Sequence, residues 1–139
     1  MKLLLIGDGP ALSNLKELAR RLSVDSAVIF TGAVPHDFVR EVYACCDLYA
    51  TASRSEVNSV SMLEAMSMGL PVLHILDEAN PGQVKEGVNG YVFRTEEEFS
   101  DIVLRFRSSA KTEQARMQAS TSDSIKGLHP TGLAKQIDR

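Results

Sequence analysis

Short apolar clusters alternate along this chain with stretches in which apolar residues recur every three or four positions. Leu3-Leu4-Leu5-Ile6 predicts a strand, and Leu12, Leu15, Leu18, Ala19 and Leu22 place one apolar stripe on a helix. Val28-Ile29-Phe30 predicts a second strand, and Asp37 is expected to cap a helix that packs Phe38, Val42 and Tyr43 inward. Asp47 to Thr51 reads as a third strand. Val60, Leu63, Ala65 and Met66 fit the buried stripe of the helix after it, which Gly69 and Pro71 close. Val72 to Ile75 and Tyr91 to Phe93 are the remaining strands. Glu96 to Phe106 is an acid-led helix that buries Phe99, Ile102, Val103 and Phe106. Alternation of this kind predicts an α/β fold, a doubly wound parallel sheet in three layers. Beyond Ser108 the pattern weakens to a helix over Lys111 to Ser120, a polar stretch from Thr121 to Gly127, and a last short helix from Gly132 to Asp138. The expected division is therefore residues 1–108 as the α/β domain and 109–139 as a helical extension.

The 139 residues suffice for one good core, and the net charge of −3 argues against a nucleic-acid partner. No apolar run approaches the roughly 18 residues of a membrane span. Met1 to Ile6 leads straight into a turn and reads as strand rather than targeting sequence. Cys45 and Cys46 are adjacent, which prevents an ordinary disulfide between them. Their place at a helix-to-strand junction suggests packing, and a reducing cytoplasm fits best. His36, His74 and His129 share no ligand spacing, and no D-x-D pair offers a metal clamp, so neither metal nor cofactor is expected. His74 in an apolar strand is expected to be a satisfied core residue, and His36 a solvated loop histidine.

The chemistry concentrates around two carboxylates eight positions apart, Glu56 and Glu64. On one helix, at about 3.6 residues per turn, they would face the same way. Ala52-Ser53-Arg54-Ser55-Glu56 reads as the loop leaving the third strand at its carboxyl end, where open α/β sheets bind ligands and where the next helix presents unpaired N–H groups. Carboxylates repel phosphate and suit hydroxyls. Two of them flanking a phosphate-sized positive pole fit a ligand with phosphate in its middle and hydroxyls at both ends, the layout of a nucleotide sugar. Gly7-Asp8-Gly9-Pro10 is a tight turn, not a dinucleotide fingerprint, since the third glycine would fall at Leu12.

From Leu4 to about Phe93 the chain resembles the carboxyl-terminal half of a GT-B retaining glycosyltransferase of family 4. The resemblance rests on Gly7-Asp8-Gly9-Pro10, Phe30-Thr31-Gly32, Asp47-Leu48, Ser53 with Glu56 and Glu64-Ala65, Gly69-Leu70-Pro71-Val72, and Gly87-Val88-Asn89-Gly90, in that order. It implies a Rossmann-like donor-binding domain. Glu56 matches the acid that contacts donor-sugar hydroxyls, and Glu64 the one that holds the ribose. The backbone at Asn58, Ser59 and Val60 matches the helix entry that cradles the diphosphate, and the Gly9 and Gly32 turns match loops lining the base pocket. The family usually has Gly where this chain has Ser59.

The implied reaction is transfer of a hexose from a nucleoside diphosphate sugar to an acceptor hydroxyl of a sugar or lipid. The family's first donor-domain strand, its diphosphate-binding Arg and Lys loop and its acceptor domain would precede Met1, so the chain reads as an inactive part of a longer cytoplasmic enzyme, with peripheral membrane association open to the parent. Two other readings stand beside this one. A doubly wound signalling domain shares the alternation, but Asp47 begins its strand rather than ending it. A non-catalytic nucleotide-binding module shares the site.

Overall fold

The computed structural model describes residues 1–54, 59–78 and 82–126. The chain forms two compact units, Met1–Val39 and Arg40–Arg139.

In the first unit β1 (Leu3–Ile6) lies parallel to β2 (Val28–Gly32), with α1 (Leu12–Arg21) as the crossover between them. The register pairs Leu3 with Val28 and Leu5 with Phe30, then shifts so that Ile6 meets Gly32. Single 3-10 turns at Asp25–Ala27 and His36–Phe38 complete the unit. Helix α1 forms where the stripe predicts, but the stripe is only thinly covered. Ala19 is buried, whereas Leu15 and Leu18 are 42% exposed and Leu22 is 62% exposed. Two strands about 4.8 Å apart are too narrow a platform for a full helix face. The expected inward packing of Phe38 also fails. Asp37 lies inside the 3-10 turn rather than capping a helix, and Phe38 is 58% exposed. His36, on the same turn, is exposed as expected.

The second unit contains α2 (Val39–Ala44) from Arg40 onward and orders three parallel strands β3 (Tyr49–Thr51), β4 (Val72–Ile75) and β5 (Gly90–Phe93), with β4 in the centre. Side chains alternate across a strand, so neighbouring Val72 and Leu73 enter opposite layers, and both are fully buried. Val72 packs with Met62 and Met66 of α3 (Val60–Ser67) and with Ile125 of α5 (Lys111–Ile125). Leu73 packs with Phe93 and with Ile102 of α4 (Glu96–Ser108). This unit is thus three layers, α3 and α5 over the sheet and α4 beneath it, and the chain is α/β with parallel sheets as the alternation predicts. His74 is buried, its Nδ1–H directed to the Ile75 carbonyl.

Three local devices hold these layers in register. Helix α3 ends in a Schellman motif, in which Gly69 N–H donates to Met66 O (2.9 Å) and Leu70 N–H to Ala65 O (3.1 Å) with Gly69 at φ +79°. Gly90 brings β5 against β4 so closely that a Cβ there would lie 2.0 Å from Val72 O. Asn89, 1% exposed, accepts from Lys85 N (2.7 Å) and donates to Gln83 O (3.1 Å) and Ser124 Oγ (3.2 Å). Helix α5 runs to Ile125, further than the expected end near Ser120. Its polar second half hides a buried side, with Thr121 fully buried and donating to Met117 O at 2.7 Å. Cys46 is half-buried, whereas Cys45 is exposed rather than packed. The expected helix from Gly132 to Asp138 and the histidine at 129 lie outside the described residues.

Candidate functional site

Ser59 stands just before α3 at φ −51°, ψ 117°, and its hydroxyl accepts from Met62 N at 3.5 Å. Serine is favoured here because it satisfies one of the amides that a helix start leaves without an intrahelical partner. By helical geometry the amides of Val60 and Ser61 also lack an intrahelical acceptor, so the first turn presents N–H groups and a partial positive charge. Helical phase begins at Val60, and the shared face expected for Glu56 and Glu64 involves a position outside the described residues. Glu56 and Asn58 lie outside the described residues. Val60 is 54% exposed and not part of the buried stripe. It precedes buried Met62 by two residues, about 200° around the helix, and so points away from the sheet.

Glu64 is half-buried a little over one turn into α3. Tyr43 of α2 is buried near it, and its hydroxyl donates to Ser61 O at 3.3 Å. Burial, aided by the neighbouring Tyr49, Glu64 and Cys46, pushes the Tyr43 phenol up to about 12. Tyr43 and Tyr49 meet edge to face at 6.2 Å. The Tyr49 hydroxyl lies 3.0 Å from Ser61 Oγ, and Ser61 Oγ lies 3.0 Å from Ser59 Oγ. Sequence reasoning missed this string of hydroxyls. Its signal was present in serines two apart at a helix start, with tyrosines on the preceding helix and strand.

The carboxyl ends of β3, β4 and β5 open on a crevice of about 370 Å³ lined by Arg54, Leu76, Asp77, Glu78 and Arg94. Each charged residue there follows a strand end by one to three positions. Arg94 pairs across 3.7 Å with Glu98 in the first turn of α4. Among the described residues no cluster of three metal-ligating side chains exists, and no helix is long and apolar enough to cross a membrane.

In the first unit Gly9 lies in the loop after β1, and Gly32 is the last residue of β2. Gly7 N–H donates to Gly32 O at 2.9 Å, which ties the two strand ends together, and Asp8 Oδ1 accepts from Gly9 N at 2.7 Å. Gly32 adopts φ +68°, in the left-handed region that favours glycine.

The family model described as glycosyl transferases group 1 matches residues 1–122. The chain belongs to this family. An alpha-monoglucosyldiacylglycerol synthase of Streptococcus pneumoniae is 38% identical over 73 residues, which cover 52% of this chain and 17% of that protein. Sulfoquinovosyl transferase SQD2 of Arabidopsis thaliana is 32% identical over 114 residues, 80% of this chain and 21% of that protein. The crystal structure of Anabaena Alr3699/HepE in complex with UDP-glucose matches with a TM-score of 0.83 at 23% identity, over 99% of this chain and 39% of that one. This group 1 chain therefore spans about a fifth of the length of those two curated relatives. The Rossmann-like GT-B fold expected from the motifs is borne out by the parallel sheets and by this structural neighbour.

Proposed function

We propose that this chain binds the donor in a retaining glycosyltransferase that moves a hexose from a UDP-sugar to an acceptor hydroxyl of a sugar or lipid. The observation that carries the reading is the placement of Glu64, half-buried in the helix whose N-terminus Ser59 caps at the exit of β3. A diphosphate at the α3 N-terminus meets the Val60 and Ser61 amides and the Ser59 hydroxyl, and Glu64 accepts hydrogen bonds from the ribose hydroxyls. Glu56 orients the sugar, Asn58 contributes to the diphosphate cradle, and the Gly9 and Gly32 loops face the base. The solved relative bound to UDP-glucose supports the choice of uridine.

In the transfer, the bond from the anomeric carbon to the UDP oxygen breaks, and a bond to the acceptor oxygen forms on the same face. The acceptor proton passes to the leaving phosphate oxygen, so neither glutamate acts as a general base. Charge on the leaving diphosphate is stabilised by the α3 dipole, which needs no metal ion. The 139 residues alone are expected to bind donor without turnover, because the resembled enzymes react in a cleft between two domains. The enzyme is expected to work in the cytoplasm, peripheral to the membrane where its acceptor is a lipid.

Titration calorimetry against UDP, GDP and ADP tests this. UDP should bind in preference to the others, and Glu64→Ala should weaken it by about 1 to 3 kcal/mol, the scale of lost hydrogen bonds to a charged group. Equal binding of UDP by the variant would remove Glu64 from the site.

A further inference from the structure

We infer that Tyr49 and Ser61 are positioning residues that turn the Ser59 hydroxyl into a fixed hydrogen-bond donor for a phosphate oxygen. The inference rests on the donor-site reading above.

The three hydroxyls form one string, Tyr49 to Ser61 at 3.0 Å and Ser61 to Ser59 at 3.0 Å. Each hydroxyl has a single proton to donate and two lone pairs to accept with. A phenol is a stronger acid than an aliphatic alcohol and a poorer acceptor, which sets the direction. Tyr49 donates to Ser61, Ser61 donates to Ser59, and the proton of Ser59 is left to point away from the string. With that direction the Ser59 oxygen accepts twice, from Ser61 at 3.0 Å and from the Met62 amide at 3.5 Å. Its remaining capacity is donation only. The base of the string is rigid, since Tyr49 belongs to β3 and packs edge to face on buried Tyr43, whose own hydroxyl donates to Ser61 O at 3.3 Å.

A donor held this way stands at the positive end of α3, where an anionic oxygen is favoured. Serial hydroxyl bonds polarise one another, so the last proton is more acidic than that of a lone serine. A serine without the string would rotate freely and would as readily turn a lone pair toward the ligand, repelling phosphate. The ligand class is thus a phosphate or diphosphate ester, and nucleoside without phosphate gains nothing from the string.

The test is calorimetric titration of the whole native chain with UDP and, separately, with uridine. Ser59→Gly, a residue accepted at helix caps, should weaken UDP roughly tenfold, the size of one charge-assisted hydrogen bond, and leave uridine unchanged. Tyr49→Phe and Ser61→Ala should each weaken UDP about threefold with uridine unchanged. Ser61→Thr, which keeps the hydroxyl, should restore UDP binding. In the Ser59→Gly background Tyr49→Phe should have no further effect, because the donor it positions is gone. The inference is overturned if Tyr49→Phe weakens UDP equally in both backgrounds, weakens uridine as much as UDP, or changes nothing. Absence of any UDP binding by the parent chain overturns the donor-site reading together with this one. Parent binding that Glu64→Ala weakens, without coupling between Tyr49 and Ser59, overturns this one alone.

Discussion

Replacing Asn89 by alanine removes a side chain that is 1% exposed and satisfies two stretches of backbone at once. Lys85 N–H loses an acceptor at 2.7 Å and Gln83 O a donor at 3.1 Å, while Ser124 Oγ, 3.2 Å from the amide that is removed, keeps its own bond to Thr121 O. Each of the two lost bonds to backbone is worth about 0.5 to 1.5 kcal/mol net, so the variant should lose roughly 1 to 3 kcal/mol. That is a large part of the 5 to 15 kcal/mol that holds a typical domain folded, on the order-of-magnitude scale that applies here. Asn89→Asp sharpens the test. It keeps an oxygen for Lys85 N–H but sets a second oxygen against Gln83 O, so it should be destabilised about as much as the alanine variant. Urea unfolding followed by circular dichroism at 25 °C reads both, as a fall in the midpoint at unchanged slope. A loss below about 1 kcal/mol for both variants would refute the claim that this asparagine carries the loop between β4 and β5.

Gly90→Ala should abolish soluble folded protein, because its Cβ would lie 2.0 Å from a backbone oxygen of the central strand. Soluble yield and a thermal melt check this, and a melting point within about 2 °C of the parent would show that β5 stands further from β4. Tyr43 gives a pH dependence of defined sign. Its folded pKa, about 12, lies above the ordinary value of 10.0, so its contribution is complete below pH 10 and is lost as pH rises from 10 to 12. Urea midpoints at pH 9 and pH 11 should fall more for the parent than for Tyr43→Phe, and parallel falls would deny that the buried phenol stays neutral.

The elements of this chain were legible because each is announced locally. Leu12, Leu15, Leu18 and Leu22 repeat at helical spacing, Val72 to Ile75 form an unbroken apolar run, and Gly69-Leu70-Pro71 stops α3 by backbone conformation alone. The end of α5 was not legible, since Thr121 and Ser124 read as solvated polar residues until Asn89 is brought against them. In the same way Leu15, Leu18 and Phe38 carry a buried residue's chemistry, and their exposure follows from what lies beside them.

The candidate site divides along the same line. Residue type and spacing pointed to Glu64, a carboxylate on a predicted helix, whereas Ser59 followed from the family resemblance. The sequence by itself determined the alternation of strands and helices, the α3 cap and its stop, and the carboxylate expected to meet hydroxyls. Only the tertiary structure decided that Arg54, Asp77, Glu78 and Arg94 share one crevice. It also decided that Tyr49 reaches Ser61, twelve residues away, to set the hydroxyl of Ser59. Short-range rules act through backbone geometry within one turn or one strand. Which side chains meet across strand ends depends on how whole elements pack, and no local pattern encodes that.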